Sequence, residues 1–301
     1  IAQLIKTESK VFTEAETGVI EAFSIFCGLG LQSCLIYEKA IKLNAQQQIS
    51  LEILAYHASA NEEEARLFMN NKIPLINVGQ LDSFDFDDLP MNDDETVAAF
   101  IHFFTELNFL KTFNISYKVL CRWILTVRKN YRRVIYHNWR HALNVAQTMF
   151  VIIKTCNLNK ILNEKEQLAL MVASICHDLD HRGLNNSFQA KSCRIYSVIV
   201  DSKNQKQLII ARFECRKNDK FAQLVQSGNA DMNDWKNKEL LLGMLMTACD
   251  LSAICKPWPI QKRIANMVAN EFYQQGDLET RLHLDPLPMM DRKQKANLPQ
   301  G

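Results

Sequence analysis

The chain has almost no net charge: 35 Lys and Arg stand against 33 Asp and Glu, leaving +2. That balance gives no electrostatic footprint for a nucleic-acid polymer or an acidic membrane surface. Glycine and proline are scarce, with nine and seven in 301 residues, which favours a mostly helical fold over a turn-rich one. The nine cysteines include no Cys-x-x-Cys pair, and their number is odd. A disulfide framework and a thiolate zinc site are both disfavoured, and a reducing, cytoplasmic setting is expected. No apolar run approaches the roughly 18 residues of a membrane span, the longest, Leu168 to Cys176, being half that. We therefore expect no membrane span, and no signal-peptide pattern precedes the first helix. Gly-rich phosphate loops, a Gly-x-Ser-x-Gly elbow, internal repeats and low-complexity tracts are also missing.

What remains is a chain with 48% apolar and 23% charged residues, enough for a sizeable core. Thr13, Glu14 and Glu16 mark a helix start. Val19, Ala22, Phe23 and Phe26 then recur at helical spacing, and Gly28-Leu29-Gly30 is expected to kink or end that helix. Helical pattern resumes from Leu31 to about Phe68. It serves either as a connector or dimer-forming segment, or as a helix packed on its own domain. The acidic stretch Ser83 to Asp94 sets a domain boundary. Beyond it, helices are expected at Thr96–Leu107, Tyr117–Asn130, Asn138–Thr155, Glu164–Cys176 (capped by Asn163), Lys238–Leu251 and Ile260–Phe272. Pro257-Trp258-Pro259 separates the last two. Ile195 to Val200, inside Cys193–Cys215, reads as a strand.

Four of the seven histidines fall in two short segments, Tyr136-His137-Asn138-Trp139-Arg140-His141 and His177-Asp178-Leu179-Asp180-His181. Placed on a helix, His137 and His141 share a face, and His177 and His181 repeat that spacing. A histidine pair alone serves structure as often as it binds metal. Asn138 stands where a zinc protease of the His-Glu-x-x-His type needs its glutamate. His177-Asp178 follows an apolar helix, so two ionisable groups lie at the end of a buried element. Either they bond one another or they bind a metal. Asp250 interrupts the apolar stretch Met244–Leu251, and aspartate is rarely buried without a partner. It caps, pairs with an arginine, or supplies a second carboxylate. Together His141, His177, Asp178 and Asp250 offer a donor set for a zinc-like ion, with a shared carboxylate reaching a second, harder ion. Such a pair of ions suits in-line displacement at phosphorus by a hydroxide held between them. His137 is left free as a general acid.

Three motifs in order, Y-H-N-W-R-H-A, H-D-L-D-H-R-G-x-N-N and M-T-A-C-D-L-S-A-I-x-K-P-W, resemble the catalytic domain of class I 3',5'-cyclic-nucleotide phosphodiesterases. Within that family the chain is most similar to the subgroup with N-terminal GAF domains, and there to the dual-specificity type eleven enzymes. The segment E-A-F-S-I-F-C-G-L-G and the later L-A-Y-H-A resemble the end of a GAF domain and its connecting helix. The resemblance implies an all-α fold. Residues 1–44 would be the tail of a GAF domain, 45–85 a linker helix, and 86–301 a partial catalytic domain in which 193–215 is an atypical insert replacing family helices. It implies hydrolysis of cyclic AMP, cyclic GMP or both to 5'-monophosphates in signal transduction. It implies His137 as general acid, and His141, His177, Asp178 and Asp250 as ligands of Zn2+, with Asp178 also reaching Mg2+ or Mn2+. His181 would orient metal-bound water, and Tyr136, Leu251 and Ile254 would line the nucleotide site. A homodimer through the GAF and linker helix is implied as well. The family's purine-holding glutamine and stacking phenylalanine have no counterpart in the chain. That leaves open a second reading: a truncated isoform that is catalytically impaired and acts as a non-enzymatic dimerisation partner.

Overall fold

A computed structural model describes residues 11–56, 78–185 and 231–293, with a few isolated positions between them. The expected strand at Ile195–Val200, and most of 57–77, lie outside the described residues. The chain divides into two compact units, Ile1–Ala55 and Tyr56–Gly301. Among the described residues all regular structure is helical, as expected.

The first unit is essentially one helix, α1 (Glu14–Tyr56). Thr13 starts it by exchanging hydrogen bonds with Glu16, a capping arrangement. The expected break at Gly28-Leu29-Gly30 does not occur. The glycines cost about 1 kcal/mol each against alanine but leave every backbone hydrogen bond in place, and a Cβ at either would meet nothing. Length and composition alone set α1 against the expectation of no membrane span. Glu14–Gln47 contains an 18-residue window long and apolar enough to cross a membrane, and none of that window is buried. An average over such a window tolerates scattered Gly, Ser and Gln, which a search for unbroken apolar runs does not.

The second unit is built around α6 (Trp139–Thr155). It follows α2 (Val78–Leu81), α3 (Asp93–Glu106), α4 (Phe109–Thr112) and α5 (Tyr117–Asn130). It precedes α7 (Glu164–Cys176), α8 (Trp235–Asp250) and α9 (Trp258–Arg281). Residues 141–151 of α6 are all buried, the signature of a helix covered on every side. It packs on α3, α7 and α8. Against α3, Phe103 stacks on Phe150 with ring centres 4.7 Å apart, and the Trp139 indole N–H donates to Thr96 Oγ1 at 2.9 Å. The buried amides donate: Asn144 to Asp88 at 2.6 Å, and Gln147 to the carbonyls of Leu81 and Ser83, while among the described residues Asn144 Oδ1 and Gln147 Oε1 accept no hydrogen bond. These bonds hold the loop after α2 against α6. Asn163 caps α7 through a reciprocal capping box with Glu166, as expected. The last helix runs past the expected end at Phe272 to Arg281 and starts earlier, with Pro259 in its first turn, where the missing N–H costs nothing. Gly276 stays helical because the tail crosses it: a Cβ there would sit 2.0 Å from the Met290 carbonyl oxygen.

Phe103 is fully buried while Val119 is 59% exposed. Phe103→Ala is expected to cost about 3–5 kcal/mol and Val119→Ala less than about 0.5 kcal/mol, read from denaturant midpoints of the two variants.

Candidate metal centre

Three helix ends meet at one point. His141 lies in the first turn of α6, His177 is the residue capping the C-terminus of α7, and Asp250 is the last residue of α8. Two of the three ends are C-terminal, and their partial negative charge favours a cation.

The local backbone differs from the expected helix face. Asn138 is the N-cap of α6, with its side chain accepting from Arg140 N–H. His137 therefore precedes the helix and shares no face with His141. The second segment is also not helical: α7 stops at Cys176, and Asp180 adopts a left-handed conformation with φ of 63°. The end of α7 is satisfied by side chains. Tyr131 Oη donates to the Ile175 carbonyl at 2.6 Å, and His177 Nδ1 donates to the Ser174 carbonyl at 2.9 Å. The second bond fixes the His177 tautomer, leaving the Nε2 lone pair to face the cluster.

That cluster has the dimensions of a coordination shell. His141 Nε2 lies 3.1 Å from His177 Nε2, 3.0 Å from Asp250 Oδ1 and 3.5 Å from Asp178 Oδ2. His177 Nε2 lies 3.5 Å from Asp250 Oδ1 and 3.4 Å from Asp178 Oδ2. Ligands about 2.1 Å from a tetrahedral ion stand roughly 3.4 Å from one another. Two imidazole lone pairs and the Asp250 carboxylate at such spacing fit a zinc-like ion, and the Asp178 carboxylate faces both rings. Burial holds the His141 pKa below its usual value, which keeps its imidazole neutral as a ligand must be. Burial would raise the Asp250 pKa, but the close His141 and His177 rings override it and the net direction is strongly downward.

Beside this shell stands a second group, His137, His181 and Glu271, whose ligand-type atoms lie within 4.8 Å of one another. Its hydrogen bonds point to proton handling instead of a cation. His181 Nδ1 accepts from Gly183 N–H at 3.1 Å, so the His181 proton sits on Nε2. His137 Nδ1 faces Glu271 Oε1 at 2.5 Å, leaving Nε2 as the outward nitrogen. Glu271 also accepts from the backbone N–H of Tyr136 at 2.7 Å and of His137 at 3.3 Å. Burial acts to lower the His137 pKa, yet the Glu271 hydrogen bond and the charges of Asp178, Glu271 and Asp250 outweigh it, and the net direction is upward. Glu271 responds in kind: burial acts to raise its pKa, and the His137 bond brings it below the usual carboxylate value.

Glu271 was not singled out by its sequence. The signal was present: Ile260 and Ile264 recur at helical spacing on the buried face of α9, and Glu271 falls on that same face. It is a carboxylate on an apolar stripe, the argument that marks Asp250. Of the remaining expected residues, Tyr136 stands 4.8 Å from His137 and 4.7 Å from His141, ring to ring. It lines a small cavity with His141 and Asp250. Leu251 and Ile254 do not line it; they are 54% and 65% exposed on the turn after α8.

Residues 136–205 and 210–301 match the family model described as 3'5'-cyclic nucleotide phosphodiesterase. The chain belongs to that family. Most of 193–215, where the likeness was expected to fade, falls inside the matched ranges, which break only between 205 and 210. Among curated relatives, the chain is 41% identical over 340 residues to a cGMP-specific 3',5'-cyclic phosphodiesterase of Drosophila virilis and 40% identical to that of Drosophila melanogaster. Each alignment covers all of this chain but only 38% and 30% of those proteins, so the chain spans about a third of their length.

Glu271→Gln removes the charge that outweighs burial at His137. An NMR titration of the His137 ring is expected to show a midpoint above that of an exposed histidine in the parent protein and below it in the variant. An unchanged midpoint would contradict the assignment.

Proposed function

We propose that this chain hydrolyses 3',5'-cyclic nucleotides to 5'-monophosphates in cytoplasmic signalling. The observation that carries the reading is the juxtaposition of the four-atom donor set with a histidine held proton-rich by Glu271. His141, His177, Asp178 and Asp250 would hold Zn2+, and Asp178 would also reach Mg2+ or Mn2+. Such ions, when bound, polarise the phosphate and make water a nucleophile near neutral pH. The chain's own residues do the rest. As water oxygen bonds to phosphorus and the P–O3' bond breaks, His137 Nε2 gives its proton to the departing O3'. Glu271 keeps the imidazolium stable and oriented. His181, its ring centre 4.2 Å from that of His137, presents an N–H that orients attacking water. Tyr136 forms a wall beside both, and Leu251 and Ile254 offer apolar surface to the base.

Cyclic GMP is the substrate supported by the names of the curated relatives. The motif likeness to the dual-specificity type eleven enzymes supports cyclic AMP as a second substrate. The exposed apolar α1 favours a further role. A helix apolar on all sides needs an apolar partner, and its likeness to the end of a GAF domain supports cover by protein, in a homodimer joined through that helix and its linker. A non-enzymatic form acting through α1 alone is the reading left if the site proves inert.

Hydrolysis of both cyclic nucleotides, assayed with zinc and magnesium present, is expected to fall about 10²–10⁴-fold in His137→Ala. Turnover unaffected by that substitution would remove His137 from the mechanism, and no turnover by folded, metal-loaded protein would leave the non-enzymatic reading.

A further inference from the structure

The buried face of α9 carries three polar side chains one turn apart: Glu271, Gln275 and Glu279. Of the three, Glu271 bonds a histidine side chain directly. Gln275 is 1% exposed, and a buried amide is retained only where its bonds are made. Its Oε1 accepts from the backbone N–H of Asn185 at 2.7 Å. Its Nε2 donates to Glu279 Oε1 at 3.1 Å and to Met290 Sδ at 3.3 Å.

Asn185 ends the turn that carries His181. Within that turn Gly183 has φ of +68°, and a Cβ there would lie 3.3 Å from the Glu271 side chain. The Gly183 N–H sets the His181 tautomer, and the His181 ring stands against His137. Glu271 and Gln275 are thus two anchors on one rigid helix, one for each histidine segment. The first fixes His137; the second fixes the exit of the His181 turn.

We infer that Gln275 is a positioning residue that sets the placement of His181 against His137 by holding Asn185 N–H. The inference rests on the proposed hydrolysis, in which His137 protonates the leaving oxygen. It acts through backbone, so its loss misplaces a proton network without removing a group that touches substrate. Small misplacements of such groups are costly, because proton transfer requires hydrogen-bond contact at the reacting atom.

The test compares two phosphodiesters in the purified chain. Cyclic GMP needs its leaving oxygen protonated, whereas a 4-nitrophenyl ester of a nucleoside 5'-phosphate expels a stable phenolate. Gln275→Met, close in volume, is expected to lower kcat for cyclic GMP by about tenfold or more with little change in KM. Nitrophenyl ester hydrolysis stays within about threefold. The exchange Gln275→Glu with Glu279→Gln restores an acceptor for Asn185 and reverses the donor between the two positions, and it is expected to recover cyclic GMP turnover. A parallel fall on both substrates, no fall on either, or failure of the exchange to recover activity would overturn the inference. If the parent chain hydrolyses neither ester, the proposed function fails, and the inference is then read without turnover. In ¹⁵N spectra of the imidazoles, His181 is expected as the Nε2–H tautomer in the parent and as mixed tautomers in Gln275→Met, while unchanged His181 signals would overturn it.

Discussion

Three electron-rich atoms, His141 Nε2, His177 Nε2 and Asp250 Oδ1, gather at 3.0–3.5 Å spacing where three helices end, and Asp178 Oδ2 lies 3.5 and 3.4 Å from the two nitrogens. The histidine side chains are 3% and 9% exposed. Lone pairs and carboxylates so placed repel one another and are poorly hydrated, a costly arrangement unless a cation resolves it. The rest of the second unit serves this constraint. α6 is buried on every side so that its first turn cannot move. Tyr131 and His177 satisfy the carbonyls ending α7, and Glu271 on α9 ties the His137 segment to the same frame.

The division between cation and proton is made by hydrogen bonding, not by residue type. Both clusters contain two histidines and a carboxylate. In one, the outer ring nitrogen of His177 donates to a carbonyl, turning a lone pair inward. In the other, Gly183 donates to His181 and Glu271 engages His137, turning protons inward. The proposed hydrolysis needs both kinds of group within a few ångströms, since water must be activated and a leaving oxygen must be protonated. The backbone supplies the difference through one N–H and one C=O.

Much of this was legible in the sequence where a residue conflicts with its local pattern. Asp178 after an apolar helix and Asp250 within an apolar stretch both drew attention for that reason, and both lie in the shell. Asn163 as a cap was readable from its position before Glu164 and Glu166. The expected helix Asn138–Thr155 already began after His137, so the shared face read from the four-residue spacing of His137 and His141 was at odds with it, and the Asn138 cap rules that face out. Periodicity describes which residues would share a face if helical and cannot tell where a helix begins. Gly28 and Gly30 misled in the opposite sense. Glycine is tolerated in α1, and in α9 Gly276 is required because a crossing backbone leaves no room for a Cβ. Glu271 illustrates a further limit: its partners are 134 and 135 residues away, a pairing that no local pattern encodes.

The account stands on the claim that the His141, His177, Asp178 and Asp250 cluster is a metal shell. The most direct measurement is the zinc content of the purified chain after exhaustive dialysis, beside that of Asp250→Ala. The account predicts stoichiometric zinc in the parent and its loss in the variant, with the fold retained. A folded parent that binds no zinc, or a variant that keeps it, would contradict the claim.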